Sequence, residues 1–148
     1  MTEAPDPVLP LSASTIRGSD PGPIEDTCAL YGAKTQDQRS EFKDLLARLE
    51  VKNGSVLNGR VESNSELSGG EKLRVALAAA IAGGRAAVVV DEPTAPLDST
   101  TSEKVIETLK EYRSLGRTFI ISSHDAAVMA SEDRVIDIED LRQRGATG

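Results

Sequence analysis

The sequence predicts an α/β fold, a parallel sheet with flanking helices. Two short apolar runs, Ala86–Val90 and Thr118–Ser122, carry the first sign. Ala86–Val90 does not alternate apolar with polar residues, which marks a strand buried on both faces of a parallel sheet. The second sign is order: stretches of helical periodicity precede, separate and follow these runs, and alternating strand and helix implies a parallel sheet with helical cover. The third is position. The first run ends in the adjacent carboxylates Asp91 and Glu92, and open α/β sheets hold their ligands at the carboxyl ends of strands.

At 148 residues the chain is about one domain. A net charge of −7 argues against an electrostatic nucleic-acid surface, so no nucleic acid is expected as a partner. The single cysteine, Cys28, offers no disulfide framework and suits a reducing interior. No apolar run has transmembrane length, and acidic residues and prolines replace the basic and apolar regions of a secretory signal. A cytoplasmic location is therefore expected.

Residues 1–27 hold five of the seven prolines and little apolar period, and read as a disordered leader. Residues 28–66 are expected to be a helical segment and a loop. Lys34-Thr35 ends like a phosphate-binding loop of the form G-x-x-x-x-G-K-[ST], but Cys28 and Ala33 stand where its glycines belong, so the match is taken as coincidental. Phe42, Leu45, Leu46 and Leu49 give residues 38–49 one apolar helical face. Asn53-Gly54 and Asn58-Gly59 are turn dipeptides in a polar loop over 51–66.

Leu67-Ser68-Gly69-Gly70-Glu71 then leads into Lys72–Ile81, an alanine-rich segment of high helix propensity. Ser68 and the glycines thus lie where a helix begins, and unpaired amides at the positive end of a helix attract phosphate. After Glu92, Pro93 and Pro96 break regularity. Ser99 or Thr100 is placed to cap a helix whose buried stripe is Val105, Ile106, Leu109 and Tyr112, and Gly116 ends it. Beyond the second strand come His124, a short helix over Ala126–Ala130, an alternating strand over Arg134–Ile138, and a polar tail over 141–148.

In this order the pieces resemble the motifs of ABC-type ATPases. Leu67–Glu71 resembles the signature, Ala86–Pro93 the Walker B strand, Thr94-Ala95-Pro96-Leu97-Asp98 the D-loop, and Ser123-His124-Asp125 the H-switch. The resemblance covers about residues 65–140 and identifies residues 67–140 as the C-terminal part of an incomplete P-loop NTPase core of ABC type. Arg74–Ile81 and Ala130–Val135 are most similar to transporter ATPases, the lipoprotein-releasing and macrolide-export type looking nearest.

The resemblance implies ATP and Mg²⁺ as cofactors. It implies Asp91 as the metal carboxylate and Glu92 as the general base, with His124 at the γ-phosphate. It also implies Ser68, Gly69 and Gly70 as a phosphate contact made across a dimer, and Asp98 as the D-loop residue that couples two sites. Asp98 is equally placed to be a helix N-cap. The implied function is that of an ATP-binding and ATP-hydrolysing subunit of an ABC transporter. Its partners would be a second ABC ATPase subunit and a membrane permease, which would hold it at the inner face of the cell membrane. The strand–P-loop–helix unit, a Q-loop and an adenine-stacking aromatic have no counterparts in this chain. The chain alone is thus expected not to turn over ATP, and to need a P-loop from a partner. The strand at 86–90 is expected to have an open edge, favouring self-association or a partner domain. Two alternatives are a DNA-repair head of the SMC and Rad50 type, opposed by the acidic balance and missing heptads, and a non-catalytic regulatory pseudo-subunit.

Overall fold

The structure, a computed structural model, describes residues 10–11, 33–52 and 67–138. The order is β1 (Pro10–Leu11), α1 (Gln36–Arg48), α2 (Gly69–Ala82), β2 (Ala87–Asp91), α3 (Ser99–Ser114), β3 (Thr118–Ser122) and α4 (Ala126–Ser131). The three strands form one parallel sheet in the order β1-β2-β3. Val88 pairs with Phe119 and Val90 with Ile121, while Pro10 and Leu11 pair with Val89 and Val90.

This topology corrects two expectations. Pro10–Leu11, inside the stretch read as a leader, is a strand. Proline is tolerated there because it is the first residue of a strand that, among the described residues, lies at the edge of the sheet. The rest of residues 1–27 lies outside the described residues. β2 is the middle strand, so among the described residues the open edges belong to β1 and β3 instead. A third correction concerns Arg134–Ile138, which pairs with no strand among the described residues and leaves Val135, Ile136 and Ile138 more than half exposed. Alternation alone cannot supply a ladder partner. The loop expected over 51–66 lies outside the described residues from residue 53 on, and so does the tail over 141–148.

The core is built on α2. Leu73 and every residue from Val75 to Ala82 are buried, as befits a helix apolar all round. Phe42, Leu45, Leu46 and Leu49 of the α1 segment and Val88 and Val90 of β2 join the same cluster, with Val105 and Leu109 of α3. Polar pairs tie α1 to α3 around its rim. Arg48 pairs with Glu111, Lys104 with Glu50, and the Tyr112 hydroxyl donates to Glu41 at 2.8 Å. Burial and that acidic neighbour push the Tyr112 pKa up to about 12.

Helices α1 and α3 end the same way. In α1 the Val51 amide donates to Leu46 O and the Glu50 amide to Ala47 O; in α3 Arg117 donates to Tyr112 O and Gly116 to Arg113 O. Each is a Schellman turn, which needs a left-handed residue just after the cap. Gly116 (φ 91°) fills that place without strain; Glu50 (φ 54°) fills it with a side chain. No heavy atom lies within 4 Å of a Cβ built on Gly116. Gly116→Ala should therefore lower stability by about 1 kcal/mol through backbone strain alone, read as a shifted urea midpoint.

Candidate functional site

Parallel pairing brings the carboxyl ends of β2 and β3 side by side, Asp91 opposite Ser122. The Ser122 hydroxyl donates to Asp91 Oδ1. The next residue, Glu92, leaves the strand in the left-handed region (φ 47°), while its amide still donates to Ser122 O at 2.9 Å. A non-glycine residue held there costs about 1–3 kcal/mol and persists only where surroundings enforce it. The turn sends the Glu92 carboxylate away from Asp91 and toward the loop after β3. Ser123 Oγ donates to Glu92 Oε2 at 3.3 Å, and His124 Nε2 lies 3.7 Å from Glu92 Oε1.

The His124 side chain is fully exposed, which excludes a packing role, and Glu92 is one-third exposed. The structure thus brings together three of the residues singled out from the sequence, Asp91, Glu92 and His124.

The loop that carries His124 is pinned by two residues to which the sequence assigns no role. Thr94 is buried at 4% exposure, and its hydroxyl donates to Asp125 Oδ2 at 2.8 Å. Asp125 also caps α4, accepting from the Ala127 amide at 2.8 Å. The only sequence signal for this link is a threonine enclosed between Pro93 and Pro96, in a turn too tight to expose it.

Ser68 and the glycines gather at the start of α2. The Ser68 side chain accepts from the Glu71 amide at 3.2 Å and its hydroxyl donates to Glu71 Oε2 at 2.9 Å, while the Ser68 amide donates to the same carboxylate at 3.0 Å. This is a capping box, written in the sequence as S-x-x-E, and it starts the helix at Gly69 rather than Lys72. Gly70 abuts the turn after β2: a Cβ there would lie 2.7 Å from Leu97 Cδ2 and 3.3 Å from Pro96 O. Only glycine lets the α2 N-terminus meet that turn so closely. Gly69 faces open space. Among the described residues, no hydrogen bond or ion pair joins Ser68, Gly69 or Gly70 to Asp91, Glu92 or His124.

Asp98, not Ser99 or Thr100, caps α3. It accepts from the Thr101 amide at 3.0 Å and from the Thr101 hydroxyl at 2.8 Å. These bonds hold its carboxyl below the usual range, and the Thr94 hydroxyl with the Ala127 amide does the same for Asp125. A carboxylate depressed on folding adds stability that is complete above its unfolded pKa of about 3.9 and is lost as pH falls through the lower folded value. The urea midpoint should therefore drop as pH is lowered from 5 toward 2, and the drop should be smaller in Asp98→Asn.

Lys34 and Thr35 lie at the start of a helix. Both amides donate to Gln38 Oε1, at 2.8 and 3.0 Å, in a second capping box that starts α1. Gln38 is thereby occupied at a helix start. Among the described residues no group of three or more His, Cys, Asp or Glu is placed to hold a metal. Mg²⁺ needs only one or two carboxylates beside water and phosphate, and the hard oxygens of exposed Asp91 and its neighbour Ser122 fit that demand.

Similarity to known proteins follows the same lines. The sequence model of the ABC transporter family matches residues 10–95. The macrolide export ATP-binding/permease protein MacB of Mannheimia succiniciproducens is 39% identical over 114 residues, 76% of this chain and 17% of MacB. MacB of Chromobacterium violaceum is 41% identical over 122 residues, 80% of this chain and 18% of that protein. A dimeric, post-hydrolysis structure of the ATP-binding cassette MJ0796 bound to ADP and Pi superposes with a TM-score of 0.61 at 28% identity, covering 76% of this chain and 50% of the cassette. The chain thus spans under a fifth of these curated relatives and half of the solved cassette.

Proposed function

This chain belongs to the ABC transporter family, and from that premise we propose that it is the signature and Walker B part of an ATP-binding cassette, coupling ATP hydrolysis to transport through a membrane permease. The observation that carries the reading is the constellation at the ends of β2 and β3, where strained Glu92 faces His124 across 3.7 Å beside Asp91. Glu92 takes a proton from the attacking water. His124, exposed and on a pinned loop, contacts the γ-phosphate and orients that water. Asp91, its carboxylate steadied by Ser122, would hold Mg²⁺, and the ion would offset charge on the phosphates.

The phosphate contact from the second half-site falls on the Gly69 and Gly70 amides and on Ser68, whose hydroxyl is otherwise engaged by Glu71. That half-site, which has no hydrogen bond or ion pair to Glu92, is read as serving nucleotide held by another subunit, with ATP joining the two. Asp98 caps α3 beside Leu97, which touches the Gly70 position, so the cap and the coupling role coincide.

The test uses the full chain and a complete cassette of the macrolide-export type that carries its own P-loop. Sedimentation should show association that requires ATP, weakened at least tenfold by Ser68→Arg. The arginine also removes an N-cap, worth about 1 kcal/mol, so the melting temperature of the variant is recorded alongside. Association without ATP, or unaffected by Ser68→Arg, would overturn the reading.

A further inference from the structure

Asp91 and Glu92 meet two consecutive serines. The register of β2 and β3 sets Asp91 opposite Ser122, and the Ser122 hydroxyl donates to Asp91 Oδ1. One residue further on, past the last paired position, the Ser123 hydroxyl donates to Glu92 Oε2 at 3.3 Å. The sequence carries the match as two hydroxyls, Ser122-Ser123, each 31 residues after its carboxylate. Glu92 needs such a partner. Its left-handed backbone (φ 47°) leaves the side-chain torsions free, and a third of the side chain lies open to water. Ser123 is itself held. Its oxygen accepts from the Asp125 amide at 3.1 Å, in a local turn of the kind serine favours. A hydroxyl has one proton to give, and with the Asp125 amide on its oxygen that proton is left for Glu92. Asp125 is fixed twice over, by the hydroxyl of buried Thr94 and by the Ala127 amide. A chain of hydrogen bonds thus runs from Thr94 through Asp125 and Ser123 to Glu92.

We propose that Ser123 is a positioning residue for ATP hydrolysis, anchoring Oε2 of Glu92 so that Oε1 takes the proton of the attacking water. The proposal rests on the reading of Glu92 as general base argued above. Among the described residues no hydrogen bond reaches Oε1, and His124 Nε2 lies on that side, 3.7 Å away. In the step itself, the water oxygen bonds to the γ-phosphorus as its proton passes to Oε1. The bond from phosphorus to the bridging oxygen breaks, and ADP keeps the electron pair. Ser123 acts in this step only through Glu92. A carboxylate with both oxygens free to rotate would spend much of its time turned away from the water. At 3.3 Å the Ser123 bond is long, so its loss should cost less than the loss of the base itself.

The first measurement needs no nucleotide. In the full chain, side-chain couplings read by NMR should report one rotamer for Glu92. Ser123→Ala should average it, and Ser123→Thr, which keeps a hydroxyl, should retain it. Thr94 and Ala127 still hold Asp125 in both variants, so their melting temperatures should stay within about 4 °C of wild type. The second measurement is single-turnover hydrolysis of ATP with Mg²⁺ in a site completed by a P-loop partner. Ser123→Ala should slow the first turnover about tenfold with ATP affinity nearly unchanged, and Ser123→Thr should bring the rate back. Added to Glu92→Gln, Ser123→Ala should cost nothing more, since no base is left to position. A Glu92 rotamer unchanged by Ser123→Ala, or the same slowing with and without Glu92→Gln, would overturn the proposal. If Glu92→Gln slows the reaction and Ser123→Ala does not, the proposal fails while the reading of Glu92 stands. If Glu92→Gln leaves the first turnover unchanged, that reading fails and takes the proposal with it.

Discussion

Glu92→Gln should slow single-turnover ATP hydrolysis by about 10²-fold or more in a site completed by a P-loop partner, and should change ATP affinity little. The amide keeps the length and hydrogen-bonding shape of the side chain but cannot accept the proton of the attacking water. Gln at φ 47° is strained as much as Glu, and the Glu92 amide bond to Ser122 O is untouched. Folding stability should therefore stay within about 0.5 kcal/mol of wild type. Rapid-quench measurement of product in the first turnover checks the rate, and calorimetric titration checks binding. An unchanged first turnover would remove Glu92 from the chemistry and leave its strained turn as a purely structural feature.

Leu46→Ala should destabilise the chain by about 3 kcal/mol. Leu46 is 1% exposed in the core formed with α2, and its carbonyl accepts the Val51 amide that closes the turn after α1. Removing three heavy side-chain atoms loses their transfer energy and leaves a cavity that α2, buried on all sides, cannot collapse to fill. A small domain has only about 5–15 kcal/mol in total, so the variant should melt well below wild type. Calorimetry or urea unfolding measures this. A loss below about 1 kcal/mol would mean that α1 is not part of the cooperative core.

Local chemistry made most elements legible. The alanine-rich segment needed only propensity and the Ser68–Glu71 box to become α2, and Gly116 could end α3 because its left-handed φ is a local demand. The motifs were legible because their residue types follow one another in a fixed order along a short stretch. What failed was long-range or depended on a partner. Arg134–Ile138 alternates like a strand yet has none beside it among the described residues, and Pro10–Leu11 looks unlike a strand yet has β2 beside it. The cap of α3 was legible locally, since Asp98, named beside Ser99 and Thr100 as a capping type, comes first and takes both groups of Thr101.

The sequence by itself determined the alternation of helix and strand and the helix starts written as capping boxes, because each depends on neighbours within about one turn of chain. Tertiary structure alone decided that β2 lies between β1 and β3 among the described residues, since strand order is set by pairing between segments far apart in sequence. It alone decided that Glu92 bends toward His124, through bonds between residues 31 apart that tie Ser122 to Asp91 and Ser123 to Glu92. It alone set Gly70 at the start of α2 against Leu97. A close approach of that kind is a matter of packing in three dimensions, and no local pattern along the chain encodes it.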